Sequence, residues 1–95
     1  MHYTYILYSF GLDRFYKGST QNMAERLKYH NGGYEKSTKS GVPWQLMWVA
    51  EKPNKSEAQK LEFKLKNLSR HRLIDFMNKY SESIAEGAND LFRDM

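Results

Sequence analysis

The chain has 95 residues, 40% hydrophobic and 15% aromatic, which is enough for one compact domain and leaves no room for a second core. It contains no cysteine, so disulfides and thiolate metal sites are excluded, and without a targeting signal or a membrane-length apolar run a soluble, cytoplasmic protein is expected. The net charge of +4 is uneven, because residues 1–80 carry 14 Lys and Arg against 7 Asp and Glu while residues 81–95 carry a single Arg against Glu82, Glu86, Asp90 and Asp94; a basic body suits a polyanion, although many proteins of that charge never meet nucleic acid.

Tyr3 to Ser9 is β-branched and aromatic and reads as a strand, with period two placing Tyr3, Tyr5 and Leu7 on one face. Phe10 to Asp13 reads as a turn, and Arg14 to Ser19 as the returning strand of a hairpin. A helix follows, with Asn22 as N-cap, Glu25 at capping-box spacing, and Met23 and Leu27 on its buried stripe. Asn31-Gly32-Gly33 ends it. Residues 34–43 form a polar loop, and Trp44 to Ala50 a third strand whose alternation puts Trp44, Leu46, Trp48 and Ala50 on one face. Pro53-Asn54-Lys55 reads as a turn, and Ser56 with Gln59 as the capping box of a second helix buried along Ala58, Leu61, Leu65 and Leu68. A third helix is expected from about Ser69 to Tyr80. The tail from Glu82 is either a last amphipathic helix through Ile84, Ala88, Leu91 and Phe92 or a frayed end. The order β-β-α-β-α-α implies an α+β fold, a small three-stranded antiparallel sheet flanked by helices, in a domain spanning 1–80 with an acidic tail at 81–95.

Arg26 and His30 are four apart, so they share one face of their helix. A permanent cation with a fork of donors beside a near-neutral titrating ring is what phosphodiester hydrolysis requires. Two solvated surface residues would give the same spacing. Tyr16-Lys17-Gly18 ends the second strand just before that helix, where a bare glycine lets a backbone or phosphate approach and the helix N-terminus favours anions. Gly18 could equally serve only the turn, with Tyr16 packed in the sheet. Tyr5 can face the same side as Tyr16, although register is not visible in sequence and the chain has seven tyrosines. Glu62 flanks the apolar stripe of the second helix. It could hold a magnesium-type ion, or pair with Lys60 or Lys66. Lys64, Lys66, Arg70, His71 and Arg72 could follow a nucleic-acid backbone or form ordinary solvated faces.

Taken in order, Tyr3-Thr4-Tyr5-Ile6-Leu7, Tyr16-Lys17-Gly18, Arg26, His30-Asn31 and Glu62 resemble the GIY-YIG nuclease family over roughly residues 3–80, in particular its short single-domain bacterial members. The resemblance implies a metal-dependent endonuclease acting on DNA, branched DNA included, in repair or recombination. It assigns Tyr5, Tyr16, Arg26, His30 and Glu62 to catalysis, Gly18 to the site's backbone, and Glu62 to one Mg²⁺ or Mn²⁺. Lys17, Lys64, Lys66, Arg70 and Arg72 are the expected DNA contacts. The base is left open between His30, with an unperturbed pKa near 6.5, and a tyrosine near 10. Two departures stand out: the first motif is Tyr-Thr-Tyr rather than Gly-Ile-Tyr, and Lys17 replaces a usually apolar residue and should face away from Tyr16. The asparagine that some larger members place after the glutamate has no clear counterpart. A domain this small has little surface for reading a long site, so low sequence specificity or an accessory protein is expected. The alternatives are a non-catalytic nucleic-acid-binding module on the same fold and a protein-interaction module docking through Leu91-Phe92.

Overall fold

In the computed structural model, which describes residues 1–88, strand β1 spans His2–Ser9, β2 spans Arg14–Thr20 and β3 spans Trp44–Lys52. They form one antiparallel sheet in the order β2-β1-β3. Helices α1 (Met23–Asn31), α2 (Lys55–Lys66) and α3 (Arg70–Lys79) complete the expected α+β order, with 3-10 turns at Lys39–Gly41 and Ser81–Ser83.

Both faces of the sheet are covered. On one, Tyr5, Leu7 and Trp44 pack with Met23 and Leu27 of α1. On the other, Ile6, Tyr8, Met47 and Trp48 meet Leu65 of α2 and Leu73 and Met77 of α3. Thr4 to Ser9 are therefore all buried, although the strand alternates in direction.

The third strand departs from the expected single apolar face. Ile6 pairs with Trp48 and Leu7 with Leu46, so Met47 is an extra residue at a β-bulge. Trp44 and Leu46 face α1, whereas Trp48 and Ala50 face α2 and α3. Simple alternation cannot anticipate this, because one inserted residue exchanges the two faces.

The α1 cap is as expected, with the Asn22 side chain accepting from the Glu25 amide at 3.1 Å. The α2 cap is corrected. Asn54, not Ser56, accepts from the Glu57 amide at 2.9 Å, and Lys55 is already helical. Two polar residues, two apart, each stood ahead of an acid or amide at the right spacing, and the earlier one caps. Ser69 caps α3 through the Arg72 amide.

After α3 the chain returns to the sheet. Trp48 Nε1 donates to the Tyr80 carbonyl, Ile84 bridges Trp48, the Ala85 amide donates to the Met47 carbonyl, and Ala88 is fully buried. Residues 81–88 thus form a turn and a bridge rather than the first part of an amphipathic helix; Leu91 and Phe92 lie outside the described residues.

Candidate active site

Three of the expected site residues meet on the α1 face of the sheet. Tyr5 on β1 pairs with Gly18, and Tyr16 lies two residues back on β2, so both phenols project to that side. Their ring centroids are 6.3 Å apart. A Cβ at residue 18 would stand 2.5 Å from the Tyr5 hydroxyl, so the glycine is what lets the phenol lie over the edge strand. His30, in the last turn of α1, is fully buried behind them. Its Nε2 shares a 2.9 Å hydrogen bond with Tyr5 Oη, and its ring meets Tyr16 edge-on at 4.9 Å. Nδ1 is 3.0 Å from Thr38 Oγ1 and 3.6 Å from a Glu35 carboxylate oxygen.

Neighbouring Asn31 fixes this end of α1 to the sheet. Its side chain accepts from the Trp44 amide at 2.6 Å and donates to the Trp44 carbonyl at 3.1 Å. The helix stop expected at Asn31-Gly32-Gly33 is therefore also a tie to β3.

Burial pushes the Tyr5 phenol well above its ordinary range, with the charges of Tyr16, Glu35 and Glu62 adding to the effect and Arg26 opposing it. Tyr16 is raised too, chiefly by burial and then by Glu35. Burial lowers His30, against the pull of Glu35 and with the help of Arg26. At neutral pH the cluster rests as two protonated phenols and a neutral imidazole. Arg26 is partly exposed on α1, its guanidinium 5.3 Å from the Tyr29 ring centroid.

Glu62 arrives from the other layer. On α2 it accepts from Ser19 Oγ at 2.7 Å and pairs with Lys66 Nζ at 2.7 Å. Ser19 lies opposite Thr4, whose hydroxyl donates to the Ala58 carbonyl of α2, so this contact is on the α2 face. The carboxylate and the phenols thus lie on opposite faces of the sheet, on either side of the edge strand β2. Glu62 contributes to holding the protons on both Tyr5 and Tyr16, so its charge is felt there.

The basic residues divide. Lys17 faces the α2 side as expected, where burial and then Lys66 lower its pKa. Lys66 is held above its usual range by its bond to Glu62. Lys64 lies over the Phe76 ring, and Arg72 is exposed on α3. Arg70 is occupied within the fold, donating to the Asp13 carbonyl and carboxylate at 3.0 and 2.7 Å and stacking over Phe15. A groove of ≈ 1080 Å³ has Ser19, Arg26, Tyr29, Lys55 and Gln59 on its walls, and none of Tyr5, Tyr16, His30 and Glu62 lines it.

No group of three or more His, Cys, Asp or Glu able to hold a metal occurs among the described residues. The donor set at Glu62 is one carboxylate, oriented by a serine hydroxyl and neutralised by a flexible lysine. That fits a hard, largely hydrated ion such as Mg²⁺, which takes one or two carboxylates and completes its shell with water and phosphate. It does not form a preformed cage.

The structure thus combines a small antiparallel sheet with two phenols, an imidazole and a guanidinium on one side of its edge strand and a carboxylate on the other. The chain belongs to the GIY-YIG family: the family described as the GIY-YIG catalytic domain matches residues 1–80. It is 36% identical over 87 residues to the UPF0213 protein CPE1444 of Clostridium perfringens, covering 90% of each chain. To the UPF0213 protein OB0043 of Oceanobacillus iheyensis it is 35% identical over 82 residues, covering 82% of this chain and 94% of that one. The solution NMR structure of the UPF0213 protein BH0048 from Bacillus halodurans is similar at a TM-score of 0.54 and 32% identity, over 81% of this chain and 82% of that one. No helix among the described residues is long and apolar enough to cross a membrane.

Sequence reasoning named the phenols, His30, Arg26 and Glu62, and it missed their supports. Ser19, Glu35 and Thr38 orient the carboxylate and the imidazole, yet each is a common polar residue with no local signature.

Proposed function

We propose that this protein is an endonuclease that hydrolyses DNA phosphodiester bonds with one Mg²⁺ or Mn²⁺ held at Glu62. The observation that carries the reading is the hydrogen-bonded chain from Tyr5 through His30 to Thr38, with the Glu35 carboxylate 3.6 Å from His30 Nδ1. A buried histidine touched on both nitrogens is suited to moving a proton. The Glu35 carboxylate favours the proton on Nδ1, which leaves the Nε2 lone pair to accept from Tyr5. His30 is fully buried and cannot itself meet an attacking water. The water therefore gives its proton to the Tyr5 oxygen, which lies over Gly18 of β2, as the proton that oxygen carried passes to His30 Nε2. Coupling the two transfers avoids a free phenolate, which burial strongly disfavours. Arg26 takes charge on the phosphate oxygens, and Lys66, once released from Glu62, adds a second cation. When bound, the metal ion would supply Lewis-acid stabilisation of the phosphate and the leaving oxygen. Lys17, Lys64 and Arg72 are assigned to backbone contacts, and Arg70 to holding the hairpin turn. Preference for branched DNA, or an accessory protein that supplies specificity, extends the same reading.

The test is cleavage of plasmid and branched DNA with Mg²⁺, comparing wild type with Arg26→Ala and Glu62→Gln purified in the same way. Each substitution should lower the rate roughly 10²- to 10³-fold. Equal activity in all three preparations sinks the nuclease reading. One observation favours the non-catalytic alternative: both Glu62 oxygens are already partnered, by Ser19 and Lys66. A pure binder would hold DNA in a salt-sensitive way, with Mg²⁺ or without it.

A further inference from the structure

Beside the proton chain lies a pair of aromatic rings that it does not use. Tyr29 is 40% exposed and Tyr34 is 75% exposed, yet their rings stack at 5.9 Å with an interplanar angle of 25°. This is not the loose arrangement of an ordinary surface tyrosine. The Tyr34 ring sits over Gly32, where any Cβ would overlap its ring carbons, so the bare backbone at the end of α1 seats it. Gly32 has an ordinary right-handed φ of −79, so it is this close approach, not backbone freedom, that calls for glycine.

Resting on the nucleic-acid reading of the site, we propose that Tyr29 and Tyr34 form a platform on which one unpaired nucleobase of the substrate stacks, next to the phosphate bound by Arg26. The guanidinium of Arg26 lies over Tyr29 and also lines the groove that runs past Ser19, and the Tyr29 ring is 6.0 Å from His30. Phosphate contact and platform are thus contiguous. Every nucleobase offers a π face, so such a platform is tolerant of sequence, and a nearby guanidinium strengthens it. A base within a duplex has both faces covered, so only an unpaired one can use it. The surrounding charge suits a polyanion better than an apolar protein partner. Arg26 lies over Tyr29, Lys28 is exposed on α1 and Lys39 approaches Gly33, while the partly exposed Glu35 carboxylate is engaged by His30 and Ser37.

The experiment is binding in EDTA, where no metal-dependent cleavage occurs. Fluorescence anisotropy compares a short oligothymidylate with an abasic strand of the same length and with a blunt duplex. Wild type should bind the base-bearing strand about tenfold more tightly than the abasic one. Tyr34→Ala should lose about tenfold on the former and nothing on the latter, and Tyr34→Phe should match wild type. Circular dichroism and thermal melting confirm that each variant is folded. Equal affinities of wild type for the two strands, or an equal loss on both in Tyr34→Ala, overturn the proposal. So does a dimer of the wild type that Tyr34→Ala converts to monomer with no change in oligonucleotide affinity, which would assign the rings to a second copy of the chain. The two readings fail separately: base-dependent binding by a protein that never cuts removes the nuclease and keeps the platform, and cleavage without base dependence does the reverse.

Discussion

The hydroxyl of Tyr5 occupies the space that a side chain at residue 18 would need. Gly18→Ala must therefore move the phenol, the strand or both. We expect the variant to fold with a cost of about 1–3 kcal/mol from overpacking, and to cleave DNA roughly a hundredfold more slowly because the phenol is displaced from His30. Normal cleavage by Gly18→Ala, with a melting curve like wild type, would show that the Tyr5–His30 bond is dispensable. At this scale the meeting of Tyr5, Tyr16, Gly18 and His30 was legible, because chemistry and order coincide there, whereas Glu62 was expected beside them and lies on the other face of the sheet. Sequence reasoning assigned no role to Ser19, Glu35 and Thr38, whose meaning comes from what the loop and strand bring beside them. Tyr29 and Tyr34 stayed hidden among seven tyrosines, since stacking is a property of folded neighbours. Lys17 illustrates the converse. Its direction followed from strand alternation, and its partly buried state follows from α2 lying above it.

Among the elements, the helices were the more readable, because apolar period and capping chemistry are local. The start of α2 shows the limit, since spacing alone could not rank Asn54 against Ser56. The ranking is measurable. Asn54→Ala should cost about 1 kcal/mol, lowering the melting temperature by roughly 4–8 °C, whereas Ser56→Ala should be nearly silent. The reverse order would move the cap back to Ser56. The third strand was expected over Trp44 to Ala50, two residues short of its end at Lys52, and with the wrong faces. Alternation is a rule for a regular ladder, and the bulge at Met47 suspends it. With the bulge in place Trp44 closes the α1 side while Trp48 anchors the other, so one strand supplies a large aromatic to each core.

For the molecule as a whole, the segment after α3 belongs to the packed body through Ala88. Residues 84–88 hydrogen-bond to β3 and bury Ala88 against the larger core. A chain ending at residue 80 should be less stable than one ending at residue 88 by about 2 kcal/mol, or roughly 8–16 °C in melting temperature. Identical melting of the two would return the domain boundary to residue 80. Composition suggests a boundary there because charge changes sign, and the family match also ends at residue 80. The position of Glu62 across the edge strand from the phenols carries one more consequence. Neither helical layer holds all the candidate side chains by itself, so under the proposed function a partly melted chain should not cut DNA. Under that reading, DNA cleavage would report on the docking of both helices onto the sheet.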